Sequence, residues 1–507
     1  MFSSGGYDRF SGRSRAGYAP TPSGGRGWRP TAESPRTPSP PLGPVLTKIL
    51  DYELGEGDIL LSKAKITNVQ DIASYNWIKA DEPTIIVPGR PPKWTPSTSS
   101  TKLAEDNPNG TYYRDPNAAY FPSYPMEPVV RSILESHIDH DFDSTTIDIF
   151  GCGSTLGNLL RFVRNVEVEK PFRFLAEVVG NTVFFIRREN SPQEVIHDVR
   201  GYGHSFPEAY TTWDANVQGS ETHQRIIRYQ LGELNVAVRF EADGYLTNKV
   251  QNQAKTSIAR HREAAEDSLV SALAESSINT KKNGDSSKLK CIQGSGSIPQ
   301  SAVFDLKTRS IKKKEKDTTL SDQIPRLWIR QIPSFILAYH ERGVFRSDEV
   351  TVHDIKPDLN RWETDNRKDV RKLIALIKKI SDFVKATPEQ KLEVRYKDGI
   401  GLELRKQDAG VTPVLPDDLA ARWAGQGKAF VGRDSEDDKE AGVGSDGGVA
   451  DLNEQSNGNL GLDDPGLDDL GLDDGSDHEF HDWDSESEKD FTACSAEDCG
   501  YCGHCSY

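Results

Sequence analysis

Cysteine, methionine and long apolar runs are all scarce in this 507-residue chain. Of six cysteines, four crowd into the last fourteen residues, and the remaining two, Cys152 and Cys291, stand alone. That distribution excludes a disulfide framework and reads as a metal or redox feature in a reducing compartment. No run approaches the roughly 18 apolar residues of a membrane span, and the N-terminus lacks an apolar signal core. The expectation is an intracellular protein, nuclear or cytoplasmic, without a membrane partner. Only 35% of the residues are hydrophobic, whereas Gly and Pro together fill 71 positions. One sizeable core with disordered arms is therefore expected, not several packed domains.

Charge is unevenly spread. From Asp434 onward there are 23 acidic and 2 basic residues, a segment charge of −21. The whole chain carries −16, which leaves +5 for the preceding 433 residues. The acidity belongs to the tail, and the body is mildly basic.

Residues 1–43 form a Gly/Ser/Pro/Arg arm with six arginines against two acids, a composition that cannot bury enough apolar surface to fold. It contains Ser34-Pro35, Thr37-Pro38 and Ser39-Pro40, three candidate phosphorylation sites. Residues 44–425 read as a single domain with a mobile insert at about 253–300. Residues 426–490 are an acidic low-complexity tail with the pentads GLDDP, GLDDL and GLDDG, and 491–507 a Cys-rich terminal segment. Between about 44 and 246 the text is dense in period-two apolar segments such as FRFLAEVV, TVFFIRR and LNVAVRFEADGYL, which read as strands. A helix is expected at about 253–274. LWIRQIPSFILAYHERG reads as an apolar helix, 366–386 as an amphipathic helix buried through Val370, Leu373, Ile374, Ile377, Ile380 and Val384, and KLEVRY with IGLELRK as a hairpin.

Two strand segments carry the chemistry. In a strand, residues i and i+2 share a face, so Glu241 and Asp243 in VRFEADGYL project together, as do Asp305 and Lys307 in SAVFDLKTRS. Clustered carboxylates resist joint ionisation unless a cation neutralises them, and hard oxygen ligands suit a divalent metal. An E-x-D strand followed by a D-x-K strand is the pattern of PD-(D/E)XK nucleases. The expected fold class is accordingly α/β (α+β), a mixed β-sheet PD-(D/E)XK-like core flanked by helices, with disordered N- and C-terminal arms.

The flanks extend the pattern. GYGHSFPEAY, RIIRYQLGELNVAVRFEADGYL, AVFDLKTRS and LWIRQIPSFILAYHERGVF follow one another in the order seen in the DXO family of RNA 5′-end decapping and exonuclease enzymes, which the chain resembles over roughly residues 110–400. The resemblance implies a divalent-metal-dependent hydrolase acting on RNA 5′ ends. Mg²⁺ or Mn²⁺ would sit on Glu208, Glu241, Asp243, Asp305 and the Leu306 carbonyl, with Lys307 and Gln331 orienting the attacking water. His204, His223 and Arg228 are candidate phosphate contacts. The family's phosphate-contacting Arg-Gly pair is replaced here around Val179-Gly180-Asn181. The chain also looks like a filamentous-fungal subgroup often labelled geranylgeranyl pyrophosphate synthetase. Prenyl synthases need two D-D-x-x-D motifs on facing helices of an all-α fold, and the tail offers only D-D-x-x-x-D in a Gly-rich context, so that label is discounted.

Two other function classes stay open: a non-catalytic scaffold or RNA-binding partner in RNA processing, and a DNA-directed nuclease. At the C-terminus Cys494, Cys499, Cys502 and Cys505 have knuckle-like spacing and can close a tetrahedral Zn²⁺ site. RNA is the expected partner, with a protein of RNA processing beside it, and the oligomeric state is open.

Overall fold

The computed structural model describes residues 38–54, 60–137, 142–197, 199–251, 289–397, 399 and 401–425. The expected helix at 253–274, most of the insert, nearly all of the basic arm, the acidic tail and the four C-terminal cysteines lie outside the described residues.

Two mixed sheets, of 11 and 7 strands, organise these residues. In chain order the strands begin with β1 (Val45–Ile49), β2 (Ile66–Ile78), β3 (Thr84–Val87), β4 (Lys93–Trp94), β5 (Thr101–Lys102) and β6 (Ile149–Cys152). They continue with β7 (Phe172–Val179), β8 (Thr182–Arg187), β9 (Thr211–Thr212), β10 (Ser220–Leu231), β11 (Leu234–Glu241) and β12 (Gly244–Tyr245). The last are β13 (Lys290–Gln293), β14 (Val303–Ser310), β15 (Ser334–Glu341), β16 (Val344–Asp354), β17 (Lys391–Tyr396) and β18 (Leu402–Lys406). The helices are α1 (Pro116–Tyr120), α2 (Glu127–Ser136), α3 (Gly153–Val163), α4 (Ser205–Tyr210), α5 (Thr319–Arg330), α6 (Lys356–Asp365), α7 (Arg367–Ala386) and α8 (Asp417–Trp423).

The larger sheet runs β1-β18-β17-β7-β8-β6-β11-β10-β2-β3-β13 and the smaller β5-β16-β15-β14-β12-β4-β9. Apolar residues of both sheets share one core with α3, α5 and α7, in which Val238 and Phe240 of β11 meet Val303 of β14, Phe335 of β15 and Trp328 of α5. A second core covers the other face of the larger sheet under α2 and α8, and a third the other face of the smaller sheet under α4. This is the mixed-sheet α/β architecture that the patterning implies. The six apolar positions expected to anchor α7 are all buried, because their spacing keeps them on one face. The hairpin is β17–β18, with Tyr396 opposite Leu402.

Two expectations need correction. The stretch LWIRQIPSFILAYHERG is half helix and half strand: α5 stops where Gln331 takes the left-handed conformation at φ 50°, Pro333 follows, and Ser334–Glu341 forms β15. Seven consecutive buried residues in β15 erase the period-two signal, because both faces of the strand are covered. The region read as all strand also holds α2 and α3. Leu156, Leu159, Leu160 and Val163 of α3 are buried at helical spacing, short enough to be lost among the surrounding strands.

The strand pair β14–β15 is parallel, with Asp305 in register with Phe335, and α5 is its crossover. The chain leaves the larger sheet at Glu241 and enters the smaller one at Gly244. Gly244 permits that crossing, since a Cβ there would lie 2.3 Å from Phe304 Cζ and 2.8 Å from the Pro92 carbonyl oxygen. Gly244→Ala should therefore cost about 2 kcal/mol or more through overpacking, read as a lowered Tm. An unchanged Tm would mean that β12 is not pressed against β14.

Candidate functional site

The antiparallel register Gly244↔Phe304 and Tyr245↔Val303, carried one step back, sets Asp243 across from Asp305. The Leu306 backbone N–H donates to Asp243 Oδ2 at 2.6 Å, while the Leu306 side chain turns into the third core. Alternation along β14 then puts Asp305, Lys307 and Arg309 on the face that meets α5. Asp305 and Lys307 are 2% and 3% exposed, a placement that charged residues tolerate only when paired.

The pairing comes from α5. Arg326 and Arg330 are four residues apart, hence on one face of the helix. Arg326 Nη2 donates to Asp305 Oδ1 at 2.7 Å, Arg330 Nη1 stands 3.7 Å from Oδ2, and Lys307 Nζ 3.5 Å from Oδ1. Both carboxylate oxygens thus face cations. Burial works against charge on Asp305, but Arg326, Lys307 and Arg330 outweigh it and hold the carboxyl below its usual range. Burial in turn pulls Lys307 down. Arg330 also fills the space at the start of α3, where a Cβ on Gly153 would come 3.0 Å from Arg330 Nε.

Asp243 behaves in the opposite way. Loss of water, then the facing Asp305, push it up to about 6, although part of its residue surface still reaches solvent. Its folded pKa lies above that of an unfolded aspartate, so the folded state holds the proton more tightly between about pH 4 and 6, and stability is lost as pH rises through that window. Asp243→Asn, whose Oδ1 can still accept from Leu306, should stabilise the protein by about 1–2 kcal/mol at pH 7 and leave it nearly unchanged at pH 4. Tm measured against pH for both proteins tests this, and a variant less stable at pH 7 would sink it.

The remaining expected residues come from β10, β11, α4, the β7–β8 turn and the end of α5. Glu241 ends β11, where Gln224 Nε2 donates to it at 3.3 Å and its charge reaches Tyr120. Phe240 and Ala242 on either side of Glu241 both enter the first core, and the Ala242 N–H still donates to the His223 carbonyl of β10 before the chain passes to the smaller sheet. Glu208 is exposed on α4, close enough for its charge to act on Tyr112. Gln331 does not face Lys307: its Nε2 donates to the Trp328 carbonyl at 2.6 Å, and Lys356 Nζ is 3.4 Å from its Oε1. The neighbouring Arg330 takes the position that the expectation gave to Gln331, because the helix ends in a left-handed turn. His204 approaches Asp106 Oδ2 at 3.1 Å through Nδ1 and packs its ring on Tyr112. His223 is buried, bonded through Nδ1 to Asn76 Oδ1 at 2.7 Å, and held well below its ordinary pKa by burial and then by Arg225. It is therefore neutral and a poor phosphate contact. Arg228 donates to Gln70 Oε1 at 2.6 Å. Val179-Gly180-Asn181 spans the β7–β8 turn, where Gly180 packs on Ala424.

Among the described residues, no group of three or more His, Cys, Asp or Glu side chains is arranged to hold a metal. The Mg²⁺ or Mn²⁺ site implied by the resemblance does not fit the residues around Asp305, where three cations meet two carboxylates. Like unit charges about 4 Å apart repel by about 4 kcal/mol at an effective dielectric near 20, and a dication doubles that figure. Arg326 and Arg330 belong to none of the motifs that mark the site in the sequence. The available signal was two arginines four apart in the apolar run IPRLWIRQIP, which demands a buried acidic partner.

The family described as "Domain of unknown function (DUF8563)" matches residues 45–411. The chain belongs to this family. The DUF8563 region takes in both sheets and the whole Asp243–Asp305 cluster. No curated protein matches. Among solved structures the chain is similar to S. pombe Rai1, at 11% identity and TM-score 0.44, covering 71% of this chain and 99% of that one. It is also similar to Candida albicans Rai1 in complex with pU5-Mn²⁺, at 10% identity and TM-score 0.43, covering 73% and 99%. K. lactis Dxo1 in complex with manganese follows at 9% identity and TM-score 0.38, covering 73% and 98%. The motif-level resemblance to the DXO family stands beside this likeness. No helix among the described residues is long and apolar enough to cross a membrane.

Proposed function

We propose that the chain is an RNA 5′-end-binding protein of RNA processing, in the nucleus or cytoplasm, that keeps a nuclease-type strand–helix–strand core without using it for hydrolysis. The observation that carries this is the approach of Arg326, Arg330 and Lys307 to the two Asp305 oxygens, so that the protein's own cations stand where a metal ion would. RNA is favoured by the order of the motifs, by the basic arm, which holds six arginines against two acids, and by the exposed turn that continues β14 with Lys312, Lys313, Lys314 and Lys316. Lysines so placed contact phosphates without reading bases.

A second reading, a divalent-metal-dependent hydrolase acting on RNA 5′ ends, is favoured by Asp243. A carboxylate held opposite another at a cost to the fold is a mark of functional sites. In that reading Asp243 and Asp305 would bind Mg²⁺ or Mn²⁺ once the arginines moved aside, and Lys307 would position water.

Purified protein with 5′-monophosphate single-stranded RNA separates the two. The expected result is salt-dependent binding with Kd on the order of 10⁻⁴ to 10⁻⁶ M at physiological salt, no calorimetric heat with millimolar Mn²⁺, and intact RNA. Mn²⁺-dependent release of nucleotides that Lys307→Ala abolishes would replace the first reading with the second. Failure to bind RNA would refute both.

A further inference from the structure

Ser39 begins a segment that crosses the outer face of the larger sheet, and its Oγ lies 2.5 Å from Arg173 Nη1. The same guanidinium nitrogen donates to the Pro40 carbonyl at 3.3 Å, and Arg405 Nη1 donates to the Gly43 carbonyl at 2.8 Å. Beneath the segment Arg395 is in register with Arg173, and the Arg188 N–H donates to the Arg173 carbonyl. Three arginines thus stand abreast on β17, β7 and the end of β8. Two of their buried donors, Arg173 Nη2 and Arg188 Nε, have no hydrogen-bond partner. The facing acids are Glu393, which accepts from Arg173, Glu403, which accepts from Arg395 and Arg405, and Asp408, whose charge reaches Arg188. Ser39 itself is exposed and is followed by proline.

We propose that Ser39 is a phosphorylation site whose phosphate is received by Arg173 and Arg188. A proline-directed kinase would supply the phosphoryl group from a nucleoside triphosphate. The Ser39 Oγ–P bond forms, the bond between the γ-phosphorus and the β,γ-bridging oxygen breaks, the nucleoside diphosphate leaves, and the hydroxyl proton is released. The product adds about −1.5 to −2 charges and three acceptor oxygens where two buried donors lack acceptors. Charge-assisted bonds to guanidinium then fasten residues 39–43 to the sheet and fix the point from which the basic arm leaves the body. The inference is independent of the reading of the Asp305 cluster.

The test is full-length protein treated with a proline-directed kinase and ATP, mapped by mass spectrometry and followed by ³¹P NMR against pH. Ser39 should carry phosphate, and its second pKa, ordinarily about 6, should fall by about half a unit or more relative to the same protein unfolded in urea. Arg173→Gln and, separately, Arg188→Gln should each reduce that difference. Should Arg173→Gln fail to fold because Glu393 loses its partner, Arg188→Gln and the urea reference still decide. No phosphate on Ser39 in the folded protein, or a second pKa equal in folded and unfolded protein, would overturn the proposal.

Discussion

Asp305→Asn should destabilise the protein by about 3–5 kcal/mol, the cost of removing one partner from a buried ion network. The change leaves Arg326, Arg330 and Lys307 facing one another in an enclosed space with Asp243 as the one carboxylate shown to act on them. Their mutual repulsion, more than the lost hydrogen bond, sets the magnitude. Asp305 is held below the unfolded aspartate value, so its contribution is present above about pH 3.9 and disappears as pH falls through the folded pKa. Urea titrations of wild type and variant should thus diverge at pH 7 and draw together as pH falls below the ordinary aspartate range. Lys307→Met should be far milder, since Arg326 and Arg330 still satisfy the carboxylate. A variant Asp305→Asn that is as stable as wild type would mean that the cluster is solvated and open, which is what a metal site requires.

Replacing both arginines, Arg326→Gln with Arg330→Gln, should give the protein an affinity for Mn²⁺ that the wild type lacks. With the guanidinium groups gone, Asp243 and Asp305 face each other across β12 and β14 with Lys307 as the remaining cation. A metal binding only the folded state stabilises it by about 2.7 kcal/mol at one hundred times Kd. The readout is Tm with and without the ion. Arg330→Gln alone, which keeps the 2.7 Å bond from Arg326, is the gentler variant if the double substitution does not fold, and it should show a smaller shift. A wild type that already shows the Mn²⁺ shift, together with its loss in Asp305→Asn, would mean that the arginines do not exclude the ion.

These outcomes turn on residues that differ in how visible they are along the chain. Asp305 and Lys307 stand out because period-two alternation requires that they share a face. The amphipathic face of α7 is equally plain, since six apolar residues at helical spacing leave one solution. The family resemblance, too, is carried by short motifs in order. The passage from the larger sheet to the smaller between Glu241 and Gly244 could not be read, because a strand that switches sheets has the same local text as one that continues. Gly244 is the sole local hint, and its meaning depends on Phe304 and Pro92, which are distant in sequence.

The sequence by itself therefore determined the mixed α/β class, the D-x-K strand, the long amphipathic helix and the segregation of negative charge into the tail, since each follows from periodicity or composition within a short window. Only the tertiary structure decided what meets Asp305. That depends on how α5 rotates over the β14–β15 pair and on a left-handed residue that turns Gln331 away while Arg330 faces in. Whether a buried carboxylate is neutralised by a metal or by guanidinium is a question of which charges share one low-dielectric space. Such neighbourhoods form between residues far apart in the chain, and no local pattern encodes them.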